Sequence, residues 1–402
     1  MERIYQPIII EHFQHDIQML FLAGPRQVGK TTLSYASQSL THDFYYMSWD
    51  EKEHQKLIVQ GSQAIADYVG LHKLMATKSI MVFDEIHKYR KWKQFLKGFY
   101  DQFKGNVFIL VTGSARLNIF RRGADSLMGR YFLYRIHPFS VAEILRPSFH
   151  EDLISAPKKI NDADFQALWE YGGFPDPYLR RDTRFHRRWL RNRTELLIHE
   201  DIRDLSRVQE LAEMQLLADL LINQVGQLIN RSSFAKKINV SVKTISNWLK
   251  ILESVYYCFA IQPWSKNVTR SLIKEPKYYL WDWSLISDAG TRAENFVAMH
   301  LLKAVHFWTD NGYGDFGLYF LRDKEKNEVD FLVTKNKKPW FLVEVKLSAN
   351  HSVSKALYRY HEQLKTEHAF QVVLDMDYVD ADCFKHKAPI VVPAKTFLSQ
   401  LI

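Results

Sequence analysis

Apolar and polar positions follow three successive patterns along the 402-residue chain. In residues 1–150, short unbroken apolar runs recur at Met19 to Ala23, Phe44 to Met47, Ile80 to Phe83 and Val107 to Val111, with polar or amphipathic stretches between them. Runs of that length predict strands buried on both faces, and the intervening stretches predict helices covering a mostly parallel sheet. From 160 to 260 the apolar spacing is mainly helical, broken at Gly172-Gly173-Phe174-Pro175. After 275 strands return at Leu318 to Phe320, Val329 to Thr334, Trp340 to Lys346 and Phe370 to Leu374. The pattern predicts an α/β multidomain chain: an α/β core at 1–150, a helical lid at 151–210, a winged-helix-like segment at 211–265 and a second α/β domain at 266–402.

Composition changes this picture little. Apolar residues make up 47% and charged residues 25%, an ordinary globular balance. The net charge of +9 permits an acidic partner such as DNA without requiring one. Cys258 and Cys383 lie too far apart in sequence for a disulfide framework or a zinc cluster, which suits a reducing compartment. No apolar run approaches the ~18 residues that span a bilayer, and the first residues lack the layout of a signal peptide. The expected location is the cytoplasm, with no membrane association.

The first apolar run opens onto Gly24-Pro25-Arg26-Gln27-Val28-Gly29-Lys30-Thr31, followed by Thr32 at a helix start. Strand, glycine loop, lysine–threonine and helix together match a phosphate-binding loop. Glycines let backbone N–H groups converge on phosphates, and the following helix adds its positive end. Lys30 is expected to reach the β- and γ-phosphates of ATP, and Thr31 to hold Mg²⁺. The run Ile80 to Phe83 ends in Asp84-Glu85. Asp84 is placed to face the Mg²⁺ shell; Glu85 either polarises the attacking water or caps the next helix. Val107 to Val111 ends in Thr112-Gly113-Ser114, where Thr112 either senses the γ-phosphate or closes an ordinary turn. Arg130 and Arg135 are candidates to stabilise transition-state charge, in the same chain or across a homo-oligomer, or else are surface ion-pair arginines.

The helical middle carries Arg180, Arg181, Arg184, Arg187, Arg188, Arg191 and Arg193. Arg184, Arg187, Arg188 and Arg191 share one helical face, which could grip nucleic-acid phosphates, reach the nucleotide from a lid, or pair in solvent with Glu195, Glu200 and Asp201. Leu216 to Leu228, Ser232 to Ile238 and Val242 to Leu252 predict a helix-turn-helix. Ala235, Val240, Ile245 and Leu249 would pack its corner, and Ser241, Lys243, Thr244 and Asn247 would face outward. Such a unit binds DNA or serves as a packing module between domains. Further on, a hairpin centred on Lys337 places Asp330 opposite Glu344, with Lys346 beside Glu344 on the same face. Two carboxylates and a lysine there could hold Mg²⁺ and orient a water for phosphodiester attack, or form a solvated face with one salt bridge.

The segments 24–33, Phe83 to His87, Thr112 to Ser114 and Gly129 to Ser140 together resemble one family. It comprises the widespread prokaryotic AAA-type ATPases that carry a C-terminal domain of unknown function related to PD-(D/E)xK nucleases. The resemblance spans nearly the whole chain. It implies an AAA core in which Lys30 and Thr31 bind nucleotide and magnesium, and Asp84 and Glu85 form the Walker B pair. It also implies that Asp330, Glu344 and Lys346 form the Asp…Glu-x-Lys set of a nuclease-like domain, and that Glu294 is the extra acid those enzymes carry. The expected activity is ATP hydrolysis coupled to a DNA-binding or nuclease-like module. The alternative is a nucleotide-dependent switch or scaffold that binds DNA or protein without cutting.

Overall fold

The four apolar runs of the N-terminal third become the strands of one parallel sheet. In a computed structural model, which describes residues 2–41, 43–72, 77–114, 127–147, 152–202, 210–265, 275–350 and 352–402, these are β1 (Met19–Ala23), β2 (Phe44–Ser48), β3 (Ser79–Asp84) and β4 (Val107–Gly113). A fifth strand, β5 (Tyr131–Arg135), completes the order β2-β3-β4-β1-β5, all parallel. The sequence pattern passed over β5, an edge strand whose run Tyr131 to Tyr134 stays half exposed along its length and is not buried on both faces. β1 is buried at every position. The helix Trp92–Phe103 covers the sheet with Phe95, Leu96, Phe99, Tyr100 and Phe103, spaced one helical turn apart. Phe95 and Phe99 stand edge-on to Phe83 of β3, at 5.4 and 5.3 Å.

The chain divides into two units, Met1–His137 with Pro147–Phe149, and Pro138–Arg146 with His150–Ile402. The second is built on a seven-stranded mixed sheet of β6 (Cys258–Pro263), β7 (Lys277–Leu280), β8 (Phe316–Arg322), β9 (Glu328–Lys335), β10 (Lys338–Lys346), β11 (His368–Val373) and β12 (Ile390–Pro393). Their order is β12-β11-β10-β9-β8-β6-β7. The 22-residue helix Ala289–Asp310 is buried around most of its circumference and packs on β8, β9 and β10.

Two expected boundaries move. The segment read as a lid packs within the second unit. Trp283 Nε1 donates to Leu168 O at 2.7 Å, and Phe296 meets Phe165 and Trp169 edge-on at 5.8 Å. Its helices, Asp162–Tyr171, Pro175–Arg180 and Thr183–Leu196, bury aromatic faces that only such a partner can cover. The boundary expected at 265 falls inside a sheet, since β6 pairs with both β7 and β8. The first helix of the helix-turn-helix runs Leu211–Ile222 and not to Leu228, because Gly226 adopts a left-handed turn with φ of 73°. The other two helices are Arg231–Ile238 and Val242–Ser254.

The β9–β10 hairpin turns through Asn336 and Lys337, both left-handed with φ of 51° and 65°, a two-residue turn of the kind that matches strand twist. Lys338 pairs with Lys335, then an irregularity between Pro339 and Phe341 shifts the register, so Val343 lies opposite Phe331. One step further places Glu344 opposite Asp330, as the hairpin centred on Lys337 predicts, although a bulge and not the turn supplies the offset.

Candidate functional site

β1 ends at Ala23 and the helix Lys30–Ala36 follows the glycine loop. Gly24 is required by close packing, since a Cβ there would lie 2.4 Å from Ile136 O. Gln27 and Gly29 are left-handed, with φ of 61° and 97°, which turns the loop toward the helix N-terminus. Pro25 and Val28 are buried, Arg26 is half-buried, and Gln27, Thr31 and Thr32 are exposed. Lys30 Nζ donates to Gly24 O at 2.9 Å and Pro25 O at 2.8 Å. Arg3 braces the loop from outside: its guanidinium donates to Val28 O at 2.7 Å and to His137 O at 2.6 Å. His137 N in turn donates to Tyr5 Oη at 3.2 Å.

The register of the sheet sets Asp84 level with Thr112 and Thr112 level with Leu22, so the acid sits at the loop end of the strands. Tyr46 Oη donates to Asp84 Oδ2 at 2.6 Å, Thr112 Oγ1 donates to Asp84 Oδ1, and the Thr31 side chain lies near Tyr46. Tyr46, which the sequence reading passed over as part of a strand, thus stands beside both Asp84 and Thr31. Burial pushes the Asp84 carboxyl above its usual range, opposed by the donors Thr112 and Tyr46, while neighbouring Glu85 adds to the rise. Thr112 is fully buried and its hydroxyl donates to Asp84. The polar residue beyond it does other work: Ser114 donates from N at 3.0 Å and from Oγ at 2.9 Å to the two oxygens of Glu85.

Glu85 makes no side-chain cap to the following turn of helix, so the capping alternative falls. It is left-handed at φ 53°, an uncommon conformation for a side chain of this size. His87 Nε2 lies 3.6 Å from its Oε2, and burial holds the imidazole below its ordinary pKa and therefore neutral. Thr31 and Asp84 supply the oxygen ligands that Mg²⁺ prefers, and their common neighbour Tyr46 places both where they fit that ion. Arg130 does not belong to this end of the sheet. Its carbonyl accepts from Met19 N at the start of β1, and its guanidinium forms a bidentate pair with Asp101 at 2.8 and 3.0 Å. Arg135 pairs level with Ala23 and lies at the loop end.

In the second unit the four expected residues converge. Val345 N donates to Asp330 Oδ2 at 2.8 Å, Lys346 Nζ lies 2.8 Å from Glu344 Oε1, and Ser354 Oγ donates to Glu344 Oε2. Glu294 accepts from Tyr279 Oη at 2.7 Å. Burial pushes Asp330 up to about 8, with the charges of Glu294 and Glu344 acting in the same sense against Lys277. Lys277, Glu328 and Tyr279 were missed; the available signal was a lysine opening an aromatic strand, since buried lysines are rare. Among the described residues no group of three or more His, Cys, Asp or Glu side chains is placed to hold a metal ion. Glu294 pairs with Lys277 and Glu344 with Lys346, while Asp330 accepts from the amide of Val345.

Arg184, Arg187, Arg188 and Arg191 are exposed on one face, with Arg191 paired to Glu195 at 3.1 Å. Arg193 is instead buried, its guanidinium 4.1 Å from the Phe174 ring centroid. Ile245 and Leu249 are buried in the helix-turn-helix, Ala235 nearly so, and Val240 half-buried; Ser241, Lys243 and Asn247 are exposed and Thr244 is half-buried.

Residues 16–145 match the model of an AAA domain. That match supports ATP binding at the level of the family. Residues 162–295 and 289–394 match two further models, both described as domains of unknown function, DUF8612 and DUF4143. The chain is 24% identical over 349 residues to the uncharacterized protein MJ1544 of Methanocaldococcus jannaschii, covering 82% of this chain and 75% of the relative. It is 21% identical over 358 residues to the uncharacterized protein Rv2008c of Mycobacterium tuberculosis, covering 85% and 73%. Among solved structures it is similar to C. elegans PCH-2, with 14% identity, 63% of this chain and 64% of that chain covered, and a TM-score of 0.26. None of the described helices is long and apolar enough to cross a membrane.

Proposed function

We propose that this chain hydrolyses ATP in its N-terminal unit and uses the cycle to control DNA engagement by its C-terminal unit. The observation that carries the ATPase reading is an Asp84 held by Tyr46 and Thr112 at the loop end of the sheet, beside a Glu85 oriented by Ser114. Lys30, exchanging the Gly24 and Pro25 carbonyls for phosphate oxygens, neutralises charge on the β- and γ-phosphates. Glu85 accepts the proton of the attacking water as the bond between the γ-phosphorus and its bridging oxygen breaks, giving ADP and phosphate. Mg²⁺, held by Thr31 and Asp84, supplies charge neutralisation when bound. Lys30→Ala is expected to abolish nucleotide binding; Glu85→Gln is expected to keep binding and lose turnover. Unchanged turnover in both variants overturns the reading.

The exposed arginine face of Thr183–Leu196 and the exposed Ser241, Lys243 and Asn247 support DNA as the partner. The paired state of the carboxylates around Asp330 supports engagement without cutting. Incubation with ATP, Mg²⁺ and several DNA forms, beside an Asp330→Ala control, tests this. DNA-stimulated ATP turnover without cleavage is the expected result, and cleavage that Asp330→Ala removes would make the module a nuclease.

A further inference from the structure

We infer that the ammonium of Lys277, and not a divalent metal ion, is the cation shared by the carboxylates of Glu294, Glu328 and Asp330. Lys277 opens β7 and is 2% exposed. Its Nζ pairs with Glu328 Oε1 and lies 3.5 Å from Glu294 Oε1. Asp330 lies two residues beyond Glu328 on β9, on the same face of the strand, and adds its charge to the cluster. A buried ammonium is costly unless several acceptors replace its water. These three acids come from two elements, β9 and the helix Ala289–Asp310, that the fold brings to one place.

Each carboxylate of the cluster already has donors from the protein. Glu328 is held by Lys277 and by Arg322 NH1 at 2.5 Å. Glu294 has Lys277 and Tyr279, Asp330 has the amide of Val345, and Glu344 has Lys346 and Ser354. Glu294 is also walled in by Gly226, where an added Cβ would stand 2.9 Å from Oε1. Mg²⁺ demands oxygen ligands at about 2.0–2.1 Å and keeps several of its waters. Here the Glu294 and Glu328 oxygens are turned toward an ammonium, Asp330 accepts from the Val345 amide, and Tyr279 fills the flank. The cluster therefore works without metal: Lys277 fastens β7 to β9 and to the long helix.

Mn²⁺ binding to the full-length chain without nucleotide tests this, read by electron paramagnetic resonance and calorimetry. Any ion at Thr31 and Asp84 is common to all variants and cancels. Wild type and Asp330→Asn are expected to bind Mn²⁺ alike. Lys277→Met, which removes the resident charge, is expected to gain a site with at least tenfold higher affinity, lost again in Lys277→Met/Asp330→Asn. A wild-type site that Asp330→Asn abolishes overturns the inference, as does a folded Lys277→Met that gains none. If Lys277→Met does not fold, the comparison of wild type with Asp330→Asn decides alone. No readout involves ATP, so failure of the ATPase reading would leave this result standing.

Discussion

Arg3 and Tyr46 do what the loop motif cannot do for itself. The motif specifies a backbone able to wrap phosphate, but a loop with two left-handed residues needs holding in place. Arg3 spans Val28 O and His137 O with two N–H groups of one guanidinium. A hydrogen bond from a charged donor contributes about 1.5–3 kcal/mol. Arg3→Ala is therefore expected to weaken ATP binding about tenfold, which corresponds to about 1.4 kcal/mol. Arg3→Lys should not restore it, because one ammonium cannot reproduce the planar fork; titration with a fluorescent nucleotide checks both. Tyr46→Phe leaves Asp84 short of one donor. Turnover is expected to fall about tenfold while the melting temperature moves by only a few degrees, and unchanged turnover would remove Tyr46 from the site. Neither residue carries a sequence signature, since their partners lie 25 to 134 positions away.

At the level of elements, local pattern was a good guide wherever burial is two-sided. β1, β3 and β4 are nearly continuous apolar runs and were legible. β5 was not, because its run Tyr131 to Tyr134 lies on a half-exposed edge strand and is not buried on both faces. The helices at 162–196 show a related limit: helical periodicity reports that a face is apolar, not what covers it. The β9–β10 hairpin was legible because Asp330 and Glu344 lie close in sequence, so few registers compete. Its turn offers a prediction. Lys337 is left-handed at φ 65°, in a turn type that favours glycine at this second position. Lys337→Gly is expected to stabilise the C-terminal unit by a few tenths to about 1 kcal/mol, since relief of strain outweighs the extra unfolded-chain entropy. Urea unfolding monitored by tryptophan fluorescence would show it as a raised midpoint with unchanged slope.

For the whole molecule, the chain passes between its two units at His137-Pro138. His137 is held by Arg3 and Tyr5 in the first unit, and Pro138 O accepts from Lys303 Nζ at 3.0 Å in the second. The segment after this junction is anchored by a buried histidine. Val141 N donates to His300 Nε2 at 3.1 Å, so Nδ1 carries the proton and donates to Phe296 O at 2.8 Å. Burial lowers the His300 pKa from 6.5 to about 3, with Lys303 acting in the same sense and the Phe296 carbonyl opposing. Below 6.5 the unfolded chain binds a proton that the folded chain refuses. The stability this neutral histidine allows is thus complete above 6.5 and is lost as pH falls toward 3, by about 1.4 kcal/mol per pH unit. Urea midpoints between pH 7 and 4 should decline with this slope, and His300→Gln should flatten it.

The sequence by itself determined the phosphate loop, the acid pair after β3, the alternation of strands and helices, and the facing of Asp330 and Glu344. All of these are set by residues near one another in the chain, where backbone preference and side-chain periodicity act directly. Tertiary structure alone decided the partners. It sent Arg130 to the far end of the sheet, gave Thr112 to Asp84 and Ser114 to Glu85, and brought Lys277 among the carboxylates. Those assignments depend on strand order and register over long separations. No local preference encodes them, and burial then makes each hydrogen bond or ion pair obligatory.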